Sequence, residues 1–215
     1  TLSSSSAASD VYKRQTQHMD IQALAAVRIV VAFITVTLII KARRGRIPKL
    51  GRVELGWVAL AGFLVVYAHQ VALVSGLRFS SAANGTLIMA TSPLLSALLA
   101  AIFYREKLTL VRISGAMLGL LGVGMVVAGS GAQIGLTGWG DAVVFVAVLV
   151  FVFGGLVIQR MSRTMDPLGM LWYMYLAGGL MLVVHAAMTP ASYQTDTWQM
   201  TWWPWLVLML SLIHI

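Results

Sequence analysis

The chain has 215 residues, of which 59% are hydrophobic and only 10% are charged. Soluble domains have roughly 25% charged residues, so this composition excludes a water-soluble enzyme and indicates a membrane protein. The chain contains no cysteine, which excludes disulfides, thiolate metal sites and a cysteine nucleophile. Its net charge of +8 would suit nucleic-acid binding in a soluble domain. Here the basic residues lie in short loops between apolar segments, where they orient a membrane protein, so we expect a lipid bilayer and no nucleic-acid partner.

The two ends of the sequence differ in composition from the segment between them. Residues 5–15 read SSAASDVYKRQ, a string encoded by the adapter of a transposase-based sequencing library. The reverse complement of the adapter's inner end encodes residues 210–215, LSLIHI. We therefore expect residues 1–15 and 210–215 to be translated adapter and not native protein. The alternative for the first segment is a serine-rich disordered leader.

Six apolar segments in the remaining chain are long enough to cross a bilayer as helices. They lie at about residues 21–40, 55–76, 84–103, 113–129, 141–159 and 167–189, and a seventh begins near Trp202. The predicted fold class is therefore an all-α polytopic membrane protein.

Basic residues alternate between the loops that join these segments. Eleven of the thirteen lysines and arginines between residues 16 and 209 lie in the first, third and fifth loops. Because basic loops stay on the cytoplasmic side, loops 41–54, 104–112 and 160–166 are predicted to be cytoplasmic, in the inner membrane of a bacterium. The first visible helix then runs inward, so we expect one further helix upstream.

A weak internal repeat divides the chain. Met19, Asp20 and the helix after them match Met165, Asp166 and the helix after those. Five helices separate the two copies, so the second copy would enter the membrane from the opposite side, as in the inverted repeats of secondary transporters. The predicted domains are a first repeat at 16–130, lacking its first helix, and the start of a second repeat at 139–209.

The segment from Ala72 to Val127 carries a distinctive pattern. Small residues lead into a helix with an internal proline, a short loop contains a glutamate, and a glycine-rich helix follows. These features are Ala82 and Ala83, Pro93, Glu106, and Gly115, Gly119, Gly122 and Gly124, and Arg28 and the Gly140-Asp141 pair belong to the same pattern. The pattern resembles the EamA-type transporters of the drug/metabolite transporter superfamily. The resemblance implies a ten-helix fold of two inverted five-helix repeats, of which this chain would hold helices two to seven and the start of eight.

Several of these residues have predicted structural roles. Pro93 is expected to kink its helix deep in the membrane. Transporters tend to bind cargo at such broken helices, and the alternative is a purely structural kink in a packed helix. Gly115 and Gly119 have the small-xxx-small spacing that lets another helix approach closely. Arg28 inside the first helix suggests a function or a buried partner unless it snorkels to the surface. Because the resembling family has this helix at its periphery, we favour a structural anchor.

Polar side chains on the second and third segments are the candidates for a solute site. Tyr67, His69 and Gln70 lie in the outer half of one segment, and Asn84 and Thr91 lie seven residues apart on one face of the next. Gln70 and Thr91 are both roughly 10–12 Å below the outer surface. We predict that Tyr67, Gln70, Asn84 and Thr91 orient a solute and that His69 gives a pH response. The alternative is that these groups only hydrogen-bond neighbouring helices together.

The sequence favours a carrier over two other classes of function. The leading hypothesis is a secondary transporter, with export favoured, that moves a small metabolite, amino acid or drug-like solute by alternating access. No phosphate-binding glycine loop supports ATP hydrolysis, and a membrane-embedded enzyme would need a catalytic motif that the sequence lacks. A non-transporting membrane subunit is compatible with the composition, as is a homodimer. We predict no catalytic residue, no metal site and no cofactor.

Overall fold

The computed structural model describes residues 21–129 and 138–188. In chain order the helices are α1 (Ile21–Arg44), α2 (Arg52–Leu77), α3 (Ala82–Tyr104), α4 (Leu110–Gly129), α5 (Trp139–Met161) and α6 (Pro167–Met188). All six are long and apolar enough to cross a membrane, and no strand occurs within these two ranges. The predicted all-α polytopic fold is confirmed. The segment near Trp202 and the adapter-like ends lie outside the described residues.

The surface of the bundle is apolar along the helices. Leu38, Leu118 and Leu180 are each more than 60% exposed, although soluble proteins rarely expose contiguous apolar patches of this kind. Hydrocarbon cannot hydrogen-bond the backbone, so a segment inside it must pair its own N–H and C=O groups, which an α-helix does. The chain is therefore a membrane protein whose exposed leucines face lipid.

Two of the helices are irregular near their midpoints. In α2, residues Gly62–Ala68 form a π-helical segment, a feature found frequently at functional sites. Helix α3 is interrupted at Thr91, two residues before Pro93. The Thr91 amide and hydroxyl both donate to the Ile88 carbonyl, at 3.1 and 2.6 Å. These two bonds satisfy the Ile88 carbonyl at the end of the first half of α3.

The helices pack in the order α1, α6, α2, α5, α3 and α4, each against the next. Helix α5 therefore lies between α2 and α3, and α4 lies at one edge. Polar contacts join the end of α1 to the start of α6, and the ends of α3 and α5 to each other. The basic loops thus lie at one end of the bundle, which we call the basic end, and the start of α5 lies at the opposite end.

Glycines allow the backbones of α2, α5 and α6 to touch. A Cβ added at Gly178 would lie 2.2 Å from the Gly62 carbonyl oxygen, closer than any side chain tolerates. By contrast, a Cβ placed at Gly115 or Gly119 meets no atom of a neighbouring described helix within 4 Å. The close helix approach predicted for Gly115 and Gly119 is not made by any described helix, and it stays a prediction.

Candidate functional site

A cluster of polar side chains lies at the end of the bundle opposite the basic loops. The Asn84 amide donates to Asp141 Oδ2 at 3.0 Å and to Oδ1 at 3.3 Å. The Ser80 hydroxyl donates a hydrogen bond to Oδ1 of the same carboxylate. Asp141 thus joins the α2–α3 connection, α3 and α5, and we call Ser80, Asn84 and Asp141 the aspartate cluster.

The local sequence brings the aspartate cluster together. Ser81 has an extended backbone and caps α3, because its hydroxyl accepts from the backbone N–H of Asn84 at 3.1 Å. Gly140 precedes Asp141, and a Cβ there would lie 2.3 Å from the Phe79 carbonyl carbon. Only glycine allows the start of α5 to approach the α2–α3 connection this closely. Asp141 lies in the first turn of α5, where the helix dipole favours an anion.

A second polar pair joins α2 and α6. A hydrogen bond of 3.0 Å connects the Tyr67 hydroxyl and His185 Nδ1, and the two rings meet edge to face with centroids 5.8 Å apart. Tyr67 lies in the π-helical segment of α2. The pair borders an open groove of about 480 Å³, and the other described residues that line it are Leu180, Met181, Val184 and Met188. Because Leu180 and Met188 are 63% and 79% exposed, this groove opens on the outer surface of the described bundle.

His69 is buried between helices and faces α5. It is 8% exposed, its Nδ1–H donates to the Ala147 carbonyl at 2.9 Å, and its ring packs on Phe151 with centroids 4.9 Å apart. The hydrogen bond to a carbonyl fixes the proton on Nδ1 in the neutral ring. This contact stabilises the α2–α5 interface, and the predicted pH response of His69 stays a prediction.

Gln70 and Thr91 are half-buried, and no hydrogen bond joins them in the described structure. The Thr91 hydroxyl bonds within its own helix, and Gln70 makes no side-chain hydrogen bond within residues 21–129 and 138–188. In the same ranges no hydrogen bond joins any two of the five predicted site residues. The shared cavity inferred from their equal depth remains a prediction.

Pro93 borders a groove between α3 and α4. The groove has a volume of about 670 Å³, and Ser92, Ser96, Gly115 and Gly119 line it together with Pro93. Arg28 is half-buried on α1 and forms no ion pair with a described residue. The predicted roles of both residues stay predictions.

Ionic contacts hold the basic end together. Glu106 accepts from Arg112 at 2.8 Å and from Gln159 at 2.9 Å, and the Arg112 hydrogen bond lowers the pKa of the Glu106 carboxyl. Asp166 pairs with Arg44 at 2.7 Å. Its pKa is lowered, first by the hydrogen bond from the Gly169 amide and then by Arg44. Both carboxylates therefore act as anionic links between helices.

Sequence reasoning missed three residues of these sites, Ser80, Asp141 and His185. The Gly140-Asp141 pair is visible as a helix start, but its partners are on other helices. His185 has no partner at helical spacing in the sequence. The described residues hold no group of three or more potential metal ligands.

Comparison with known proteins assigns the family. The profile of the EamA-like transporter family matches residues 3–128. The chain belongs to this family, and the predicted membership is confirmed.

Three curated proteins are similar to the chain. The uncharacterised transporter YyaM of Bacillus subtilis is 26% identical over 60% of this chain and 43% of its own length. A chloroplastic WAT1-related protein of Arabidopsis thaliana is 29% identical over 59% of this chain and 32% of its length. The uncharacterised transporter YdfC of Bacillus subtilis is 30% identical over 50% of this chain and 35% of its own length. The chain therefore spans less than half of each relative that it matches.

A solved crystal structure, whose description names no activity, has a TM-score of 0.71 with this chain. The alignment covers 90% of this chain and 66% of the other chain, at 17% sequence identity. A likeness at this identity shows that the two chains share a fold.

Proposed function

We propose that the full-length gene product is a secondary transporter that exports small organic solutes by alternating access. The candidate solutes are metabolites, amino acids and drug-like molecules. Family membership and relatives named as transporters support transport in general. The protein would act without a cofactor and would lie in the inner membrane of a bacterium, with loops 41–54, 104–112 and 160–166 in the cytoplasm.

The observation that carries this proposal is the pairing of polar side chains across the boundary of the two predicted repeats. Asn84 in the first repeat bonds Asp141 in the second, and Tyr67 in the first bonds His185 in the second. A carrier with inverted repeats binds its solute between them. These pairs lie toward the end that the loop charges place outside, and they offer both an anion and neutral donors to a solute.

Alternate opening of the carrier to the two sides of the membrane would change the contacts at both ends of the bundle. The Glu106–Gln159 bond and the Arg44–Asp166 ion pair link the two predicted repeats at the basic end. The aspartate cluster links them at the other end. Alternating access would break the contacts at one end while those at the other persist.

Solute flux in vesicles tests the proposal. The full-length protein is reconstituted in liposomes, and labelled amino acids, small metabolites and amphipathic cations are supplied on either side. A carrier gives uptake that saturates with solute concentration and exceeds that of empty liposomes. An enzyme would instead yield product, and a non-transporting subunit would give neither result.

Two variants make the flux experiment specific to the site. Asn84→Ala removes the donor to Asp141, and we expect saturable uptake to weaken. Thr35→Ala is the matched control, because the Thr35 hydroxyl is exposed and donates only to Val31 of its own helix at 2.9 Å. Equal uptake by both variants would place the solute elsewhere.

A further inference from the structure

We propose that the loop between α1 and α2 binds the phosphate-bearing headgroup of an anionic phospholipid. Residues Arg44, Arg46, Ile47, Pro48 and Lys49 border a cavity of about 740 Å³ at the basic end of the bundle. Three of the five described residues that line it are cationic. We call this cavity the headgroup pocket, and its proposed role does not depend on what the protein transports.

The loop that forms the pocket is fastened to α6. The Tyr173 hydroxyl donates to the Pro48 carbonyl at 3.1 Å. A Cβ added at Gly169 would lie 3.0 Å from Pro48 Cγ, so the start of α6 packs directly on the proline ring. Gly45 has a φ of +69°, which lets the chain turn out of α1 at little cost. A topology signal needs only an excess of lysine and arginine, whereas this loop also has a defined shape.

The charge of the pocket is incompletely balanced by the protein. Asp166 pairs with Arg44 at 2.7 Å. Arg46 and Lys49 are exposed and form no ion pair with any residue that the structure describes. Guanidinium and ammonium groups next to a membrane attract anionic headgroups. A phosphodiester would therefore find two available cations and a third that is already oriented by Asp166.

The surface next to the pocket fits a lipid better than a soluble phosphate. Helix α1 ends at the pocket, and Ile34 and Leu38, four residues apart on one face of α1, are 50% and 61% exposed. An acyl chain can lie along these side chains while its headgroup occupies the pocket. A free phosphate would use the cations alone, so the apolar face favours the phospholipid.

Lipid retention by the purified chain tests the proposal. The 215-residue chain in mild detergent is mixed with phosphatidylglycerol or phosphatidylcholine, and native mass spectrometry counts the lipids that remain bound. We expect at least fivefold more retained phosphatidylglycerol than phosphatidylcholine. Equal retention of the two lipids by the wild-type chain would overturn the proposal. Displacement of the bound lipid by millimolar glycerol phosphate would overturn the choice of a lipid over a soluble phosphate.

A charge-matched pair of variants locates the site. Arg46→Gln with Lys49→Gln removes two cations from the pocket, and Arg105→Gln with Lys107→Gln removes the same two residue types from another exposed loop at the same end. We expect the first pair to abolish the preference for phosphatidylglycerol and the second pair to retain it. An equal loss in both pairs would show attraction to diffuse charge and refute a defined pocket. Tryptophan fluorescence and elution volume would confirm that both variants fold.

Discussion

The Asn84 amide donates a 3.0 Å hydrogen bond to the Asp141 carboxylate across 57 residues of sequence. The bond joins the third helix to the fifth. Ser80, in the α2–α3 connection, donates a further hydrogen bond to the same carboxylate. Because the acceptor is a charged group, this bond is among the stronger ones of the protein. The start of α5 is thereby tied to the rest of the bundle at the end away from the basic loops.

Removing the acceptor should destabilise the bundle. Asp141→Ala leaves the Asn84 and Ser80 donors without this carboxylate, and hydrogen bonds to charged groups contribute about 1.5–3 kcal/mol each. We expect a lower melting temperature in detergent for Asp141→Ala and a smaller decrease for Ser80→Ala. Ser114→Ala is the control, because that exposed hydroxyl donates only to Val111 of its own helix. A control variant as unstable as Ser80→Ala would contradict the role of the aspartate cluster.

Gln70 and Thr91 test whether the predicted solute site reaches deeper than the aspartate cluster. Replacing either by alanine in the full-length protein should raise the half-saturation concentration about two- to twelvefold, because one hydrogen bond contributes about 0.5–1.5 kcal/mol. Flux measured over a range of solute concentrations gives this value. If both variants transport normally but melt earlier in detergent, the two residues only hold helices together.

The spans and the family could be predicted because both depend on local sequence. The length of each apolar segment shows which residues cross the membrane. The pattern that indicates the family is contiguous in sequence, from Ala82 to Gly124. The pairing of Asn84 with Asp141 could not be predicted, because periodicity shows which residues share a face and not which helix covers that face. His69 shows the same limit, since its partner is the Ala147 carbonyl, a backbone group that no residue type marks.

The glycines show that spacing alone does not identify the partner helix. Gly115 and Gly119 have the spacing of a helix-packing pair, yet the described helices leave them open. Gly62 and Gly178, which lie on different helices, bring two backbones together instead. Which glycine is needed depends on where helices cross, and the crossing point is set by tertiary packing.

Alanine at Gly178 should disrupt the crossing of α2 and α6. The added Cβ would lie 2.2 Å from the Gly62 carbonyl oxygen and 2.6 Å from Val66 Cβ, so the two helices must move apart. Overpacking of this kind costs about 1–3 kcal/mol. Gly115→Ala is the matched control, because its Cβ meets nothing within 4 Å and alanine favours a helix by about 1 kcal/mol. Melting in detergent should rank Gly178→Ala below wild type and Gly115→Ala at or above it.

The anionic links at the basic end predict a loss of stability in acid. The pKa of Asp166 is lowered in the folded protein by the Gly169 amide and by Arg44. The stabilisation is therefore fully present above the ordinary aspartate pKa of about 3.9, and it is lost as the pH falls through the lowered value. Glu106 contributes with the same sign, because its pKa is lowered too.

Melting temperatures between pH 7 and pH 3 measure this effect. We expect the melting temperature of the wild type to fall at the acid end of this range. Asp166→Asn should start lower at pH 7 and fall less, and combining it with Glu106→Gln should flatten the profile further. A double variant with the wild-type acid dependence would assign the loss to other carboxylates.

The orientation of the whole bundle rests on the first basic loop, which carries six lysines and arginines between Lys41 and Arg52. Because such loops remain in the cytoplasm, a cysteine placed at Arg46 of the full-length protein should react only with a thiol reagent that crosses the membrane. A cysteine placed at Gln133, between α4 and α5, should react with an impermeant reagent added to intact cells. The 215-residue sequence has no cysteine, and any cysteine elsewhere in the full-length protein is first replaced by serine, so that each variant reports a single position. Labelling of both positions from the same side would require an odd number of crossings to be lost between α1 and α5, which would overturn the alternation of the helices and, with it, the inverted repeat.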